Sequence, residues 1–342
     1  MSIMHQEILS TPALLENTLR ENLAPVAALA ARIRQEGLSP IHIAARGSSA
    51  NAGCYFSYLS EILAGIPTHS IMPSVLTLYP GKLSFAGSAV LAITQGGRGS
   101  DIRFLVEKAK EDGALTAAIC NEADSPIAQA VDTLLPMCLG LEKAMAATKT
   151  FTAEMLLGGM LAFALAGRDP AFFRRVPELF SRVADQSNAI DALAEEFLSA
   201  GSCYVLGRGY NLAVARELCC KLQEACFVNA FPFSQADFLH GPLALVEPGS
   251  RVIYLHAADE TGPSSLELLQ RLEASGAVVT LFTNDPALAE GRERVFLLPG
   301  SESVLSPLAF TAAIQLFACF LAQRKGLDPD QSRNLNKYTV TM

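Results

Sequence analysis

The sequence has no excess of positive charge. Its 26 lysines and arginines stand against 34 aspartates and glutamates, which gives a formal net charge of -8. Nucleic-acid backbones and anionic membrane surfaces bind basic faces, so we expect neither as a partner. The first residues also lack the basic-then-apolar pattern of a secretory signal. The most apolar stretch, residues 144–167, carries Lys149 and Glu154, which predicts a buried helix and not a membrane span. We therefore expect a soluble, cytoplasmic protein.

Metal-ligand and nucleotide-binding patterns are missing as well. The 8 cysteines include no Cys-x-x-Cys pair and the 5 histidines are scattered, so we expect no zinc site. Most cysteines lie inside apolar runs, such as residues 118–120 and 317–320, which is typical of buried free thiols in a reducing cytoplasm. There is no Gly-x-Gly-x-x-Gly fingerprint and no Walker lysine, so a nucleotide ligand is not expected.

What the sequence does contain is an alternation of short apolar strands and helices. The chain has 342 residues, of which 50% are hydrophobic and 18% are charged. This length accommodates one large core or two domains of about 150 residues each. In the first half, strands are predicted at residues 40–45, 68–72, 88–94, 115–120 and 133–137. Strands that alternate with helices predict a parallel sheet with crossover helices.

The second half of the chain repeats the first. Arg46 and Arg208 occupy similar sequence contexts, and so do Asn121 and Asn284, with nearly the same separation between the members of each pair. A constant offset of this kind indicates two copies of one structural unit. We therefore predict an α/β fold with two tandem, doubly wound, flavodoxin-like parallel sheets. The N-terminal domain is placed at residues 1–170 and the C-terminal domain at residues 171–342.

One stretch in the second half carries acid–base chemistry. Lys221 and Glu224 lie three residues apart in a helical pattern that also includes Glu217, so they project from the same side of one helix. The following segment contains Pro232 and predicts an ordered loop, without regular structure, that carries His240 back over the helix. This arrangement suits general acid–base catalysis. The alternative is a surface salt bridge and a helix-capping histidine.

Two polar loops follow consecutive predicted strands of the first half. Residues 46–51 offer hydroxyl groups and backbone donors where a helix begins, and residues 94–100 offer the same with the cation of Arg98. Ligands of doubly wound sheets bind beyond the carboxyl ends of the strands, and helix N-termini favour anions. A serine-rich turn alone is usually a helix cap. Two such turns at consecutive strand ends favour a small phosphorylated ligand.

Five motifs together resemble a known family. They are Ala-Arg-Gly-Ser-Ser-Ala-Asn (45–51), Ala-Ala-Thr-Lys-Thr-Phe-Thr (146–152), Lys-Leu-Gln-Glu (221–224), Leu-His-Gly-Pro-Leu-Ala-Leu (239–245) and Arg-Asn-Leu-Asn-Lys-Tyr-Thr-Val-Thr (333–341). They span nearly the whole chain, which resembles the sugar isomerase (SIS) superfamily in its tandem two-domain form. It is similar to the isomerase half of glutamine:fructose-6-phosphate amidotransferase, and closer still to stand-alone glucosamine-6-phosphate deaminases of the same fold.

The resemblance implies roles for individual residues. Glu224 matches the base that moves a proton between sugar carbons 1 and 2, with Lys221 one helical turn away. His240 matches the histidine that opens the pyranose ring in the neighbouring subunit's site, which implies a homodimer. Lys337 matches a tail lysine that covers the site and pairs with the open-chain carbonyl. The implied substrate and phosphate contacts are Gly47, Ser48, Ser49, Thr94, Gln95, Gly96, Arg98, Ser100, Ala146, Thr148 and Asn336. No metal or redox cofactor is required.

Two features depart from the family. The loop after the third strand usually reads Ser-Gln-Ser-Gly-x-[Thr/Ser], but here Gly96 and Gly99 replace two hydroxyl residues, while Arg98 and Ser100 add a charge and a displaced hydroxyl. We expect either a different set of phosphate contacts or a different sugar substrate. The sequence also shows no cysteine amidase domain before the first strand, so we expect release of ammonia or simple isomerisation, without glutamine as a donor.

Three functions remain open at this stage. The favoured one is a deaminase and isomerase that converts an amino-sugar phosphate into a ketose phosphate and ammonia. The second is an enzyme of the same fold that acts on another substrate, such as a ketosamine phosphate or a plain sugar phosphate. The third is a non-catalytic sugar-phosphate sensor, which the retained Glu224, His240 and Lys337 disfavour, as does the lack of a basic DNA-binding segment.

Overall fold

The computed structural model describes residues 1–79 and 81–337, and its chain forms two compact units. The first-sheet unit contains residues 13–142, 149–175 and 334–337, and the second-sheet unit contains residues 1–12, 143–148 and 176–333. The domain boundary after residue 170 stays a prediction. Residues 338–341 of the last family motif lie outside the described residues.

The first-sheet unit is built on five parallel strands. They are β1 (Ile41–Ala44), β2 (Thr68–Ser70), β3 (Ala89–Thr94), β4 (Leu115–Cys120) and β5 (Thr133–Pro136), in the spatial order β2-β1-β3-β4-β5. Strands β3 and β4 are buried along almost their whole length, as is usual for a parallel sheet covered on both faces. The order changes direction between β1 and β3, which pair through residues 41–44 and 89–92.

Helices cover both faces of this sheet. They are α1 (Ile3–Gln35, of which residues 13–35 belong to this unit), α2 (Gly47–Leu59), α3 (Ser74–Thr77), α4 (Ser100–Glu111), α5 (Pro126–Ala130) and α6 (Lys149–Leu165), with a π-helical turn at Ser60–Ala64 and a 3-10 helix at Pro170–Arg175. Helix α4 buries one apolar stripe that includes Leu105 and Val106, whereas every residue of α6 is buried.

The second-sheet unit has the same strand topology. Its strands are β6 (Ser202–Gly207), β7 (Asn229–Ser234), β8 (Arg251–His256), β9 (Val278–Thr283) and β10 (Val295–Leu297), in the order β10-β9-β8-β6-β7, and all are parallel. Numbered within each sheet, both orders read 2-1-3-4-5. The predicted fold class, two tandem doubly wound α/β domains, is therefore confirmed.

The helices of the second-sheet unit include its most apolar element. They are α7 (Val176–Ala184), α8 (Ser187–Glu196), α9 (Asn211–Cys226), α10 (Gln235–Phe238), α11 (Gly262–Ala274), α12 (Pro286–Ala289) and α13 (Ser306–Arg324), with a 3-10 helix at Pro242–Leu245. Helix α13 is long and apolar enough to cross a membrane by length and composition, but 94% of its most apolar window is buried inside the fold. It packs on α7, α8 and α9 as a core helix.

One sequence prediction about this unit is wrong. The segment around Pro232 was expected to be irregular, yet Asn229–Ser234 forms strand β7 and pairs in parallel with β6 along its whole length. Because β7 is an edge strand, the missing N–H of Pro232 need not interrupt a second ladder. The strand ends at Ser234, whose side chain caps α10.

Close packing within α6 gives a test of the fold. A Cβ atom at Gly159 would lie 2.4 Å from Cε1 of Phe173, a ring that is itself packed edge-on against Phe163. We expect Gly159→Ala to lower the free energy of unfolding by about 1–3 kcal/mol. In the neighbouring control, Gly158→Ala, the new Cβ lies no nearer than 3.3 Å to another atom, the Cβ of Phe56, and the helix propensity gained is the same, so we expect a much smaller effect. Urea titration of both variants measures the difference; equal effects would contradict it.

Candidate active site

The two predicted anion loops lie side by side in the first-sheet unit. Strands β1 and β3 are hydrogen-bonded neighbours, and each is followed by a helix, α2 beginning at Gly47 and α4 beginning at Ser100. This is the point where the strand order reverses, at which doubly wound sheets bind ligands. Gly47 adopts a φ of 52°, and a side chain there would meet no other atom, so its backbone is open to an approaching group. The structure therefore brings both loops to one edge.

A buried carboxylate joins the two loops. The guanidinium of Arg46, at the start of α2, donates to Oδ2 of Asp101 from Nε at 3.0 Å and from Nη2 at 2.8 Å. Asp101 lies in the first turn of α4 and its side chain is only 1% exposed, whereas that of Arg46 is 51% exposed. The pair fixes the distance between the loops and leaves part of a cation facing solvent. Sequence reasoning missed Asp101, although an acidic residue at a helix start was the available signal.

The glycine-rich loop after β3 is ordered by close backbone contacts. Gly97 has a φ of 61°, and a Cβ atom there would lie 2.0 Å from Oγ of Ser125. Its N–H donates to Oγ1 of Thr94 at 3.2 Å, while Gln95 is half-buried and Gly96 is buried. This loop therefore stays close to the fold and offers mainly backbone donors to an anion.

The charged residue of that loop has an intramolecular partner. Arg98 donates to Oε2 of Glu122 from Nη2 at 2.6 Å, and its side chain is 55% exposed. Because the guanidinium already pairs with a carboxylate, its electrostatic attraction for an anionic ligand is weaker than the sequence suggests. Ser100, the displaced hydroxyl residue, is exposed at the first position of α4.

The serines of the first loop differ from each other. Ser48 is half-buried, whereas Ser49 is buried and donates its hydroxyl to Oε1 of Glu154 at 2.7 Å. Glu154 lies in α6 and is 1% exposed. The hydroxyl proton of Ser49 is therefore directed at a carboxylate of the fold. Sequence reasoning used Glu154 only as a sign that α6 does not span a membrane.

The tail lysine meets a buried carboxylate in the same unit. Nζ of Lys337 lies 3.5 Å from Oε2 of Glu142. Glu142 precedes α6 and accepts from the backbone N–H of Thr150 at 3.1 Å and from its hydroxyl at 2.6 Å. The side chain of Lys337 is 18% exposed, and Asn336 beside it is exposed. Sequence reasoning missed Glu142, which no local pattern links to the tail.

In the second-sheet unit, the predicted Lys–Glu pair is part of a buried three-residue cluster. Nζ of Lys221 lies 2.8 Å from Oε1 of Glu217 and 3.3 Å from Oε2 of Glu224, all on α9. The side chains of Lys221 and Glu217 are 0% exposed and that of Glu224 is 30% exposed. The alternative of a surface salt bridge is therefore wrong, because the ammonium is fully buried.

The electrostatics of this cluster favour its charged form. Burial by itself lowers the pKa of Lys221, but the carboxylates of Glu217 and Glu224 outweigh it, and the pKa is raised above its ordinary value. Lys221 is therefore a fixed ammonium near neutral pH. The partly exposed Glu224 is the member of the cluster that a ligand can reach.

Other predicted site residues of this unit have structural contacts. The carbonyl of the buried Thr148 accepts from Nε2 of Gln315 at 3.0 Å, and Ala146 is 1% exposed. His240 is exposed just after α10, and its backbone N–H donates to the carbonyl of Asp237 at 3.0 Å. Its ring makes no hydrogen bond or ion pair with the described residues, so the structure does not bring it to Glu224.

The geometry allows two kinds of chemistry. The first-sheet unit has two adjacent helix N-termini and a lysine paired with a carboxylate, and the second-sheet unit has a partly exposed carboxylate beside a buried ammonium. Among residues 1–79 and 81–337, no group of three or more His, Cys, Asp or Glu side chains is arranged to hold a metal ion. Helix N-termini, which favour anions, together with acid–base residues are typical of doubly wound enzymes.

Comparison with known proteins identifies the family. Residues 38–164 and 196–322 match the SIS domain, so the chain belongs to the SIS family. It is 30% identical over 348 residues to the isomerizing glutamine–fructose-6-phosphate aminotransferase of Aquifex aeolicus, and the alignment covers 99% of this chain and 57% of that protein. The chain thus spans little more than half the length of such curated relatives.

Solved structures agree with this assignment. A protein of Silicibacter pomeroyi, provisionally assigned as a phosphosugar isomerase, has a TM-score of 0.86 and 31% identity, with 96% of this chain and 100% of that one covered. The C-terminal domain of glucosamine-fructose-6-phosphate aminotransferase from Francisella tularensis has a TM-score of 0.88 and 25% identity, with 97% and 98% covered. The predicted family is therefore confirmed, and so is the prediction of an enzyme.

Proposed function

We propose that the protein is a phosphosugar aldose–ketose isomerase that acts on an amino-sugar phosphate, with glucosamine 6-phosphate as the first candidate. The products are then fructose 6-phosphate and ammonia. The observation that carries this proposal is the buried cluster on α9, which holds Glu224 against a fixed ammonium while leaving its carboxylate partly exposed. A carboxylate held in this way suits proton transfer between adjacent sugar carbons.

In the proposed reaction, the phosphate binds at the loops after β1 and β3. The contacts come from the side chains of Ser48, Thr94 and Gln95, from the backbone of Ser49, whose hydroxyl donates to Glu154, and from the backbone of the glycine-rich loop, with the helix N-termini behind them. The phosphate then fixes one end of the sugar. The half-exposed Arg46, which Asp101 holds, adds a positive charge near the same edge.

The acid–base steps follow from the remaining residues. His240 transfers the proton that opens the pyranose ring. Glu224 then takes the proton from carbon 2 and returns one to carbon 1, which converts the open-chain aldehyde and amine into an enolamine and then a ketimine. The ammonium of Lys337 stabilises the negative charge on oxygen 1 in the transition state. Water adds to the ketimine at carbon 2, and ammonia leaves to give the ketose phosphate.

Support for an amino-sugar phosphate comes from the relatives. The relatives from Aquifex aeolicus and Francisella tularensis carry fructose 6-phosphate, one of the proposed products, in their names. The substrate itself is our proposal.

We also propose that the enzyme is a cytoplasmic homodimer with a shared active site. His240 is exposed on a segment that also exposes Leu239 and Leu245, at 42% and 67%, as expected of a segment that contacts a second copy. All eight cysteines are free, which fits a reducing compartment. Nucleic acid and membrane are not proposed as partners, because the net charge is -8.

A second candidate, an isomerase or deglycase for a different sugar phosphate, rests on the loop after β3. Gly96 and Gly99 provide no hydroxyl groups, and Arg98 is paired with Glu122. A loop with this composition contacts a phosphate through its backbone. It therefore accommodates a sugar phosphate whose phosphate group lies at a different position from that of glucosamine 6-phosphate.

The test is incubation of the purified protein with glucosamine 6-phosphate, with separate enzymatic measurement of ammonia and fructose 6-phosphate. We expect the two products in equal amounts. No product, but thermal stabilisation by other sugar phosphates, would favour the second candidate. No product and no stabilisation by any sugar phosphate would refute sugar-phosphate binding.

A further inference from the structure

We propose that Glu142 is a positioning residue that holds the ammonium of Lys337 in place for the substrate oxygen. The inference rests on the proposed function, because it gives Glu142 a role through the lysine that pairs with the open-chain carbonyl. It adds a residue for which neither the sequence motifs nor the comparisons provide a role. The contact itself, 3.5 Å between Nζ of Lys337 and Oε2 of Glu142, lies within the first-sheet unit.

Glu142 is held rigidly by its neighbours. Its carboxylate is 0% exposed and accepts two hydrogen bonds from Thr150, from the backbone N–H at 3.1 Å and from the hydroxyl at 2.6 Å. Thr150 lies in the first turn of α6, which is buried throughout. A carboxylate held by two donors on a buried helix cannot move far, so it is a fixed anchor for any cation that pairs with it.

The lysine differs from this anchor in the segment that carries it. Lys337 is carried by a segment without helix or strand, next to the exposed Leu335 and Asn336. A long side chain on such a segment has many rotamers, and an ion pair with a fixed, buried partner restricts them. The pair with Glu142 therefore narrows the positions that Nζ takes relative to the loops after β1 and β3.

Hydrogen bonds from other elements hold the segment that leads to Glu142. Asn121, at the end of β4, donates to the carbonyl of Gly140 at 2.8 Å and accepts from the N–H of Leu139 at 3.2 Å. Lys149 donates to the carbonyl of Leu141 at 2.8 Å. The chain just before Glu142 is therefore tied to the end of β4 and to α6, at the carboxyl edge of the first sheet where the anion loops lie. This places the anchor on the functional edge of its unit.

The decisive experiment is a double-mutant cycle with Glu142→Gln and Lys337→Met. Glutamine keeps the size of the side chain and removes its charge. We expect Glu142→Gln alone to lower kcat about 10- to 100-fold with little change in KM, because a displaced catalytic group slows the reaction without weakening phosphate binding. In the Lys337→Met background, we expect no further loss beyond about twofold, since the residue through which Glu142 acts is already absent.

A second buried glutamate provides the matched control. Glu7 accepts from the N–H groups of Lys143 and Ala144 at 2.8 and 3.1 Å, next to Glu142 in the sequence. We expect any loss of kcat in Glu7→Gln to be the same with and without Lys337→Met, as for a purely structural residue. The proposal is overturned if Glu142→Gln lowers kcat by the same factor with and without Lys337→Met.

Hydrogen–deuterium exchange separates this inference from the proposed function. We expect the peptide that contains Asn336 and Lys337 to exchange faster in Glu142→Gln than in the wild type. In the control variant Glu7→Gln, we expect the same peptide to exchange at the wild-type rate. If the wild type is inactive on all sugar phosphates and exchange still rises, the positioning contact is supported and the proposed function fails. Unchanged exchange in Glu142→Gln would overturn the positioning contact whatever the activity.

Discussion

Replacement of Glu224 by glutamine is expected to lower kcat by about 10²- to 10⁴-fold, the usual contribution of a general base. Glutamine has the same shape but cannot accept the proton from carbon 2. KM for the sugar phosphate is expected to change little, since the proposed phosphate contacts lie on the loops after β1 and β3. The same variant should also lose exchange of the carbon-2 hydrogen with solvent deuterium, which isolates the proton-transfer step from ring opening and ammonia release.

The control for this prediction is another half-buried carboxylate of the same unit. Asp191 pairs with Arg324, with distances of 2.6 and 2.8 Å and a side chain that is 36% exposed, comparable with the 30% of Glu224. Its pKa is lowered by the hydrogen bond from Arg324, as in an ordinary ion pair. Asp191→Asn is expected to keep wild-type kcat. If Glu224→Gln retains more than about a tenth of wild-type kcat, Glu224 is not the base.

The fold could be predicted from the sequence because its signals are local or periodic. The apolar strands, the helices between them and the repeat of the first half in the second require no knowledge of tertiary contacts. Strand β7 was missed for the opposite reason. Whether a proline can occupy a strand depends on that strand's place in the sheet, and the edge position of β7 is a property of the whole fold.

The residues of the candidate site that follow from local patterns were predicted, and those that depend on tertiary contacts were not. Lys221 and Glu224 were predicted because they lie one helical turn apart, and the loops after β1 and β3 because they follow strands. The burial of Glu217 could not be predicted, since glutamates are almost always exposed unless they are paired. Asp101 and Glu142 act through partners that are distant in the sequence, Arg46 and Lys337, and only the folded chain brings such pairs together.

Two residues of the predicted phosphate loops have side-chain partners that their motifs do not predict. Ser49 matches the expected phosphate contact, yet its hydroxyl donates to Glu154, and Arg98 pairs with Glu122. Both contacts direct hydrogen-bonding capacity away from an incoming anion. A sequence motif defines which groups are present at the loop, but their availability depends on neighbours contributed by other elements.

The largest effect on stability is expected from removal of the buried ammonium. Lys221→Met leaves the carboxylate of Glu217, 0% exposed, without the cation that lies 2.8 Å from it. Loss of one partner of a buried ion pair costs about 3–5 kcal/mol of unfolding free energy, because the remaining charge stays desolvated. Since the pKa of Lys221 is raised in the fold, its stabilising contribution is present below its unfolded pKa and is lost only as pH rises through the folded value. The full effect should therefore appear at neutral pH.

A second substitution separates charge from packing. In the double variant Lys221→Met and Glu217→Gln, both charges of the closest pair are removed, and we expect the loss to shrink to about 1–2 kcal/mol. The matched control is Lys108→Met, which breaks a pair with Glu111 at the three-residue spacing of Lys221 and Glu224, 2.9 Å apart but with side chains 50% and 68% exposed. That variant should unfold like the wild type, because exposed pairs contribute little. Urea titrations followed by circular dichroism measure all three. A loss in Lys221→Met that the Glu217→Gln change does not reduce would mean that packing of the lysine stem, and not its charge, holds α9 in place.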